Sequence, residues 1–446
     1  MSTETPSIKK KSPIPEGTIS IGTGMAIGAV TAYVAVILIN QTVGDRAYAG
    51  FGAFWSLIFV VGPGLFLPLE QEIARGVSHR LAREDGSKPF LRLAVSIALL
   101  IALVVGAIFA AFSPILIDHV FHHNGKLQIG FIIAIISFAF LHCSRGIFSG
   151  NHKFNFYGGS LAVEGTIRFV IVLSLSLLGI KDVGFYGIAM GITPLLSVVP
   201  FIWIIKNLTT EGEEASKREL GTALSFLVTS SLLSQALAYS PLFITNVIEG
   251  ESGTTARYFT NAFFIARIPV IGFMAVAAAL LPKLSTYHSK GEHEEFKARF
   301  RKLFILVISL CIIGTTAIAF FGQFAGEILF GKEKFGLERS HFIILAVGSC
   351  IFLLTQTLTS ACIALQHYKL ITYAYIAGFI TLLTTTIIFM NTKIPTTLWV
   401  SYTISIASTI TMIILYINYE KTIHRHISNH KKDDENIADF IIVNPI

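Results

Sequence analysis

The feature that most constrains this sequence is a series of twelve apolar stretches, each about 20 residues long, separated by polar connections. Stretches of this length are typical of membrane-spanning α-helices and are too long for the strands of a membrane β-barrel. The sequence therefore predicts an all-α polytopic membrane protein. The predicted spans are Thr18–Asn40, Ala49–Leu69, Leu93–Phe112, Gln128–Ile147, Tyr157–Leu178, Val183–Ile205, Leu220–Val247, Phe259–Leu281, Leu303–Phe321, Phe342–Leu365, Leu370–Met390 and Leu398–Ile417.

The composition supports a membrane protein and excludes other classes. Of the 446 residues, 53% are hydrophobic and only 14% are charged, whereas a soluble domain has roughly 25% charged residues. A soluble enzyme, a disordered scaffold and a secreted disulfide-rich module are therefore excluded. The four cysteines lie inside apolar stretches, where Cys behaves as a small hydrophobic residue, and they lack the paired spacing of a disulfide or zinc framework.

The basic residues predict the orientation of the spans. If the N-terminus is cytoplasmic and every span crosses the membrane, 24 Lys and Arg residues lie inside, 8 lie outside and 2 lie within spans. Cytoplasmic connections carry such an excess of positive charge. We expect both termini in the cytoplasm, and we attribute the net charge of +7 to topology rather than to a nucleic-acid partner.

Two long connections indicate an internal repeat. Glu70–Arg92 and Pro282–Lys302 each follow a proline at a predicted helix end and continue as a basic amphipathic run, so both are predicted to lie on the inner membrane surface. A weaker match links Gly150–Phe154 with Leu365–Lys369 at a similar offset, a little over 200 residues. An even number of helices per repeat predicts two parallel six-helix lobes, related by a pseudo-two-fold axis along the membrane normal, around a central cavity.

The repeat divides the chain into five predicted regions. These are a cytoplasmic N-terminal tail (1–17), an N-lobe (18–205), a cytoplasmic linker that bears the hinge (206–219), a C-lobe (220–417) and a cytoplasmic C-terminal tail (418–446).

Motifs for catalysis and metal binding are absent. Gly326–Lys332 has the spacing of a phosphate-binding loop, but Glu333 replaces the Ser or Thr that would bind magnesium and no strand precedes it. His119, His122 and His123 are better explained as exposed loop residues than as a metal site. We predict no catalytic residue, no metal and no cofactor, and we expect a non-enzyme that uses an ion gradient or the membrane potential.

Charges inside the predicted spans are the main functional candidates, because an arginine in the membrane normally faces a cavity or a partner. Arg168 lies roughly 16 Å into the fifth span. Glu164 precedes it by one helical turn, and Ser160 extends the same face. One interpretation is a cationic cavity wall that binds an anionic head group, with Glu164 releasing Arg168 when substrate arrives. The other is a structural ion pair between helices.

The eighth and seventh spans supply further candidates. Arg267 is followed by Pro269, which bends a helix, and it either lines the cavity or extends towards the outer surface. Ser231, Gln235 and Tyr239 form a polar stripe on the seventh span. Such stripes more often join helices than bind substrate. We include Gln235 and Ser160 among the candidate cavity residues.

Two other features have competing explanations. Gly62-Pro63-Gly64 is predicted to break the second span, which makes that span either a flexing element or a tolerated kink. His142 lies close to the inner end of the fourth span. Proton coupling at His142 has little support from the sequence.

Three segments occur in order along the chain. They are Arg145–Gly150 with Phe154, Tyr157, Glu164 and Arg168; Phe264–Pro269 with Leu280–Ser285; and Leu329–Gly331 with Phe335. In this order, and over roughly residues 18–418, they resemble the Wzx-type polysaccharide exporters, which are oligosaccharide-lipid flippases of the multidrug/oligosaccharidyl-lipid/polysaccharide (MOP) superfamily.

This resemblance implies a function and partners. The protein would move an undecaprenyl-pyrophosphate-linked oligosaccharide across a bacterial cytoplasmic membrane by alternating access, for the synthesis of lipopolysaccharide or another cell-surface polysaccharide. Arg168, Glu164 and Arg267 would line the cavity. The implied partners are the lipid-linked oligosaccharide and membrane lipid, with a polysaccharide polymerase and glycosyltransferases as candidates.

Three alternatives remain open. An ion-coupled multidrug exporter of the same superfamily would favour acidic and aromatic cavity residues, but Glu164 is the only carboxylate in the middle of a predicted span. The related lipid II flippases typically have fourteen helices, whereas only 29 residues follow Ile417. The third alternative is a membrane scaffold for envelope assembly that does not transport.

Overall fold

The computed structural model of the protein describes residues 17–216, 219–221, 224–268, 284, 287–288 and 290–443, with the side chains of Thr18 and of residues 426–443 excepted. Over these residues the fold is all-helical. The helices are α1 Thr18–Thr42, α2 Asp45–Ala82, α3 Lys88–Ala111, α4 Gly125–Gly150, α5 Phe154–Leu177, α6 Val183–Leu208 with a 3₁₀ turn at Val199–Phe201, α7 Leu224–Ile248, α8 Thr254–Ala266, α9 His293–Phe330, α10 Arg339–Ala364, α11 Tyr368–Met390 and α12 Thr396–Val443.

Eleven of these helices are long and apolar enough to cross a membrane, among the residues that the structure describes. The exception is α8, which corresponds to the eighth predicted span and is followed only as far as Ile268. The rest of that predicted span, with Pro269, Pro282 and most of the connection that begins at Pro282, lies outside the described residues.

The two halves of the chain repeat the same helix pairings. In the first half α1 packs on α5, α2 and α3 pack on α4, and α6 packs on α4 and α5. In the second half α7 packs on α11, α8 and α9 pack on α10, and α12 packs on α10 and α11. Each helix of the first half corresponds to the helix six positions later in the chain, and because six is an even number the two corresponding helices run in the same direction through the bundle. The fold prediction of an all-α protein with two lobes is thus confirmed.

The lobes meet mainly along α2 and α7. We call the end of the bundle that holds Asp45 the distal end, and the end that holds the start of α1 the proximal end. Gly52 of α2 lies against Asn246 near the distal end, and Gly64 lies against Leu232 further along. The absence of a side chain at these glycines lets the two helices approach closely along much of their length.

The prediction that Gly62-Pro63-Gly64 breaks the second helix is wrong, because α2 continues through it for 38 residues. Pro63 removes one backbone donor, but the helix is held from both sides at this point. Gly62 faces the Phe138 ring of α4, and Gly64 faces Leu232 of α7. Neighbouring helices therefore compensate for the local cost of the proline.

The prediction that Glu70–Arg92 forms a separate surface helix is also wrong. Glu70 to Ala82 continues α2, and Lys88 to Arg92 begins α3. Ile73 and Val77 are buried against Gly146 and Gly150 of α4, so this part of α2 belongs to the helix bundle. The basic run at the start of the ninth span is likewise part of the continuous helix α9, which begins at His293. The predicted C-terminal tail is helical to Val443, as part of α12.

The connection between the lobes is tied to the proximal end by Arg80. This side chain is 5% exposed. It donates to both carboxylate oxygens of Glu219 at 2.9 and 3.1 Å, to Asp85 Oδ2 at 2.9 Å, and to the carbonyl oxygens of Gly86 and Glu213 at 2.8 and 3.0 Å. The bonds from Arg80 lower the pKa of the Glu219 carboxyl, and the backbone N–H of Glu213 lowers that of Asp85.

Two glycines of α1 provide a test of the close contact between α1 and α5. A Cβ on Gly24 would collide with the backbone of Gly158 in α5, whereas a Cβ on Gly22 would meet open space. We expect Gly24→Ala to lower the free energy of unfolding by about 1–3 kcal/mol, since the helices have to move apart. Gly22→Ala should leave stability unchanged or raise it slightly. Thermal unfolding in detergent compares them, and equal stability of the two variants would contradict the close contact.

The contacts of Arg80 predict a dependence of stability on pH. Carboxyls whose pKa is lowered by folding stabilise the native state above their ordinary pKa and lose that contribution as the pH falls through the lowered value. We expect the unfolding temperature to fall between about pH 5 and pH 3, and we expect Arg80→Met to reduce this slope. At neutral pH the substitution should cost about 1–3 kcal/mol. Arg83→Met, at an exposed position on the same helix end, is the control; an unchanged slope in Arg80→Met would exclude the mechanism.

Candidate functional site

A connected set of polar side chains lies inside the first lobe, where α2, α4 and α5 meet. We call it the N-lobe network. Its side chains are joined by hydrogen bonds or ion pairs and lie towards the proximal ends of the three helices. The members are Glu70 of α2, His142 and Arg145 of α4, and Tyr157, Ser160, Glu164 and Arg168 of α5.

Glu164 is shared between two arginines. Arg145 Nη2 lies 2.7 Å from Glu164 Oε2, and Arg168 Nη1 lies 3.5 Å from Glu164 Oε1. All three side chains are 14% exposed or less. The predicted pairing of Glu164 with Arg168 is present, but Arg145 makes the shorter contact. One carboxylate therefore faces two guanidinium groups.

Ser160 supports Arg145 rather than facing an open space. Its hydroxyl accepts from Arg145 Nε at 3.1 Å and donates to the carbonyl of Tyr157 at 2.8 Å, and the residue is 2% exposed. Ser160, Glu164 and Arg168 therefore do share one face of α5, as predicted, but Arg145 of α4 covers part of that face.

Arg168 keeps unused capacity for hydrogen bonding. Its Nη2 donates to the carbonyl of Gly28 in α1 at 3.0 Å. Its Nε is buried and has no hydrogen-bond partner among the residues that the structure describes. Since a guanidinium has five N–H donors, Arg168 has room for another acceptor.

The other end of the network contains a second carboxylate. Glu70 accepts from Tyr157 Oη at 2.7 Å, and its other oxygen lies 2.6 Å from His142 Nδ1. Glu70 was predicted to lie in a surface connection, and Arg145, at the inner end of the fourth predicted span, was counted only as a cytoplasmic positive charge, so neither was predicted as a site residue. Arg145 did stand in the segment that carried the family resemblance, which was the available signal.

Arg267 occupies a different environment in the second lobe. It lies at the end of α8 and is 9% exposed. Its Cζ lies 4.9 Å from the ring centre of Tyr239, 4.8 Å from that of Phe263 and 5.4 Å from that of Phe352. A guanidinium over aromatic faces is stabilised electrostatically. The alternative of an arginine that extends to the outer surface is therefore wrong.

Arg267 has no carboxylate partner in the described part of the chain. Nη2 donates to the carbonyl of Ala238, whereas Nε is buried without a hydrogen-bond partner there. Among the described residues, none of the carboxylates lies within ion-pair distance of it. Tyr33 of α1 lies close by, since its hydroxyl donates to the carbonyl of Phe264 at 2.7 Å. Arg267 thus lies near the junction of the lobes.

The polar stripe on α7 also lies at this junction. Tyr239 stacks on Phe59 of α2 with ring centres 5.5 Å apart, and Ser231 Oγ is 3.5 Å from the carbonyl of Pro63. These contacts support the interpretation that the stripe joins helices. Gln235 is half-buried on α7 and has no side-chain hydrogen bond with another described residue.

The lobes are also joined at the distal end, by a set of contacts that we call the distal interlock. Arg257 of α8 donates to the carbonyls of Asn40 and Val43 at 2.9 and 2.7 Å and pairs with Asp45 at 2.7 Å. The interlock also includes Tyr48 Oη bonded to Asn261 Oδ1, Lys334 Nζ bonded to the carbonyl of Asn40, and Arg46 paired with Glu251. The last carbonyl groups of a helix have no N–H partner within the helix. At the end of α1 they accept hydrogen bonds from Arg257 and Lys334 instead.

The described ranges contain no group of three or more His, Cys, Asp or Glu side chains able to hold a metal ion. His122 instead bonds to the carbonyl of Asn246, and His123 to Asp118. The candidate site is therefore the N-lobe network together with Arg267.

Comparison with known proteins identifies the fold. No protein-family model matches the chain. Uncharacterised proteins of Mycobacterium bovis and Mycobacterium tuberculosis are 22% identical over 368 residues, which cover 79% of this chain and 82% of theirs.

Solved structures are similar over nearly the whole chain. They include an inward-facing multidrug resistance MATE family transporter of the MOP superfamily (TM-score 0.69, 14% identity, 92% of this chain and 98% of that one). A MATE protein in complex with MaD5 has a TM-score of 0.68, 14% identity and coverage of 93% and 96%. A MOP superfamily transporter from Pyrococcus furiosus has a TM-score of 0.68, 15% identity and coverage of 94% and 99%. The chain therefore has the fold of the MATE transporters of the MOP superfamily, and membership of the Wzx-type branch stays a prediction.

Proposed function

We propose that the protein is a membrane exporter that translocates an undecaprenyl-pyrophosphate-linked oligosaccharide across the bacterial cytoplasmic membrane by alternating access. The sugar and the pyrophosphate cannot enter hydrocarbon without a large cost, whereas the prenyl tail is stable there. A transporter for such a cargo needs a cationic interior that shields the head group. The proposed partners are the lipid-linked oligosaccharide and the lipids of that membrane.

The observation that carries the proposal is that two buried arginines keep a free N–H donor. Arg168 and Arg267 each have a buried Nε without a described partner. Buried donors are normally satisfied, so a free one is an available contact for an acceptor. Phosphate oxygens are strong acceptors for guanidinium groups, particularly at low dielectric. One such arginine lies in each lobe, as expected for a head group held between them.

The contacts of Glu164 suggest how the first arginine is released. Arg145 holds Glu164 at 2.7 Å, while the contact of Arg168 is longer, at 3.5 Å. A phosphate that binds Arg168 breaks the weaker of the two pairs and leaves Glu164 compensated by Arg145. We propose that Arg168 exchanges partners in this way, with Arg145 as the fixed counter-charge.

The distal interlock supports an access path from the proximal end. The lobes are joined at the distal end by Arg257 and its neighbours. In the predicted orientation the distal end is external, so the cargo would enter from the cytoplasmic side. Export would then require the interlock to open, as alternating access demands. Polysaccharide polymerase and glycosyltransferases are proposed partners on either side of this step.

A multidrug exporter is the second candidate, because a similar structure is a multidrug resistance MATE transporter. The aromatic rings around Arg267 are also of the kind that bind cationic drugs. However, a guanidinium already occupies that position and would repel a second cation. For the similar transporter from Pyrococcus furiosus, the reverse polarity of the binding pocket suggests a different function. This supports the view that proteins with this fold differ in the cargo they carry.

Removal of Arg168 tests the proposal directly. In proteoliposomes with a fluorescent polyprenyl-pyrophosphate sugar, we expect Arg168→Ala to slow flipping about 10- to 100-fold, the loss associated with a charge-assisted hydrogen bond. Arg168→Lys should retain part of the activity, since it keeps the charge but loses the fork of donors. Arg299→Ala is the matched control, because Arg299 is 54% exposed and pairs only with Glu295 among the described residues.

The assay distinguishes the alternatives. Normal flipping by Arg168→Ala would exclude the site. Transport of a cationic dye by a wild type that does not flip the lipid would establish the multidrug exporter. A folded wild type that moves neither probe, with or without an ion gradient, would favour a scaffold for envelope assembly.

Arg267 provides a second test that separates binding from packing. Methionine has a similar length and fits an aromatic environment. We therefore expect Arg267→Met to retain an unfolding temperature close to that of the wild type and to lose flipping about 10-fold or more. If Arg267 only holds the rings together, the variant will lose stability while the folded fraction flips lipid normally. Thermal unfolding and the flipping assay, measured on the same preparation, decide between the two.

A further inference from the structure

His142 and Glu70 form a buried pair that the proposed transport step does not use. Their side chains are 7% and 6% exposed, and His142 Nδ1 lies 2.6 Å from Glu70 Oε2. The other carboxylate oxygen accepts from Tyr157. Phe66 and Phe138 lie beside the imidazole, with ring centres 6.5 and 6.0 Å away. The pair is therefore enclosed by aromatic rings and held by a phenol.

The hydrogen bonds assign the tautomer of His142. Since a carboxylate accepts, Nδ1 carries the hydrogen and Nε2 carries the lone pair. Nε2 is buried and has no hydrogen-bond partner among the described residues. A buried acceptor that is left free is unusual. Imidazole is also the side chain that exchanges a proton near neutral pH. Nε2 is therefore a vacant position for one proton.

The charged groups around His142 come from the N-lobe network. α2 contributes Glu70, α4 contributes Arg145, and α5 contributes Tyr157, Glu164 and Arg168. Of the other helices packed against α2 and α4, α6 carries only Lys206 and α7 carries no charged residue. α3 carries Lys88 and Arg92 at its proximal end, directed to Glu211, and α8 carries Arg257 at the distal end and Arg267 near Tyr239.

The network is balanced when His142 is neutral. Two carboxylates, Glu70 and Glu164, face two arginines, Arg145 and Arg168. A proton on Nε2 gives the network one net positive charge. His142 lies one helical turn before Arg145 on α4, so this charge appears beside the arginines. In a low-dielectric interior such a charge strengthens the binding of an anion.

We propose that the His142–Glu70 pair is a proton-binding site, and that its protonation is linked to the binding of an anionic head group by the N-lobe network. The linkage rests on the proposed function, whereas the proton site does not. The proton comes from water and binds Nε2, while Glu70 stabilises the imidazolium through Nδ1–H. Because linkage is reciprocal, a bound pyrophosphate also favours uptake of the proton.

The proton site is tested without any cargo. NMR spectra are recorded in nanodiscs with all 13 histidines ¹⁵N-labelled. The pair of imidazole nitrogen signals that is absent from the spectrum of His142→Gln is assigned to His142. We expect that pair to shift as the pH is changed between about 5 and 8. In Glu70→Gln the pH dependence of that pair of signals should change, because the imidazolium loses its counter-charge. His341→Gln is the matched control, since His341 is also buried and hydrogen-bonded but lies on α10, bonded to Thr397.

The linkage is tested with farnesyl pyrophosphate. Calorimetric titrations in buffers of different ionisation enthalpy count the protons taken up on binding. On binding farnesyl pyrophosphate, we expect wild type and His341→Gln each to take up as much as one proton more than His142→Gln does. For each unit by which the pH falls, the affinity of these two proteins for the ligand should rise as much as about 10-fold more than the affinity of His142→Gln. The comparison between variants removes the ligand's own protonation.

The outcomes separate the two claims. A His142 signal that does not change with pH overturns the proton site, whatever the cargo. A signal that titrates, with equal proton uptake in wild type and His142→Gln, overturns the linkage. Absence of farnesyl pyrophosphate binding together with absence of flipping contradicts the proposed function, and the titration of His142 still decides the proton site.

Discussion

The cost of placing charge in a membrane governs the interior of this protein. A buried arginine is tolerated only where fixed groups replace its water, and each one here solves that problem differently. Arg145 uses a carboxylate and a hydroxyl. Arg257 uses backbone carbonyls at a helix end, and Arg267 uses three aromatic rings. Most of these partners lie on other helices than the arginine they contact, so the charges can be stable only when the bundle is assembled.

The arrangement of partners gives the two lobes different characters despite their shared fold. The first lobe contains a network in which carboxylates and arginines balance. The second presents Arg267 in an apolar environment, with compensation mainly from ring faces. A pseudo-symmetric scaffold thus carries an asymmetric charge distribution. This asymmetry is the kind of difference by which members of one fold acquire different cargoes.

Much of the fold follows from the sequence, because hydropathy reports directly on the length of chain that hydrocarbon can cover. The twelve apolar stretches and the repeat of two halves were predictable for that reason. Helix ends were less so: α2 and α9 extend past the hydrocarbon as continuous helices, and a change from apolar to charged residues does not end a helix whose far side still packs on neighbours.

The site was predictable only where its residues are neighbours in sequence. Glu164 and Arg168 lie one turn apart on α5, and their pairing is visible as a pattern. Arg145 and Glu70 lie on other helices near the ends of apolar stretches, so charge alone did not distinguish them from residues in water. Their contacts with α5 depend on helix packing, which in turn depends on glycines such as Gly146 facing the backbone of α2.

The bonds from Arg257 have a consequence for how the junction of the two lobes responds to salt. Two of its three contacts are to uncharged main-chain carbonyls, and the side chain is 2% exposed. Dissolved salt screens exposed ion pairs but has little effect on enclosed bonds of this kind. The bonds from Arg257 to the end of α1 should therefore keep their strength over a wide range of ionic strength, whereas the exposed Arg46–Glu251 pair of the same interlock should weaken as salt is added. The enclosed bonds and not the surface pair then hold this end of the bundle together in concentrated salt.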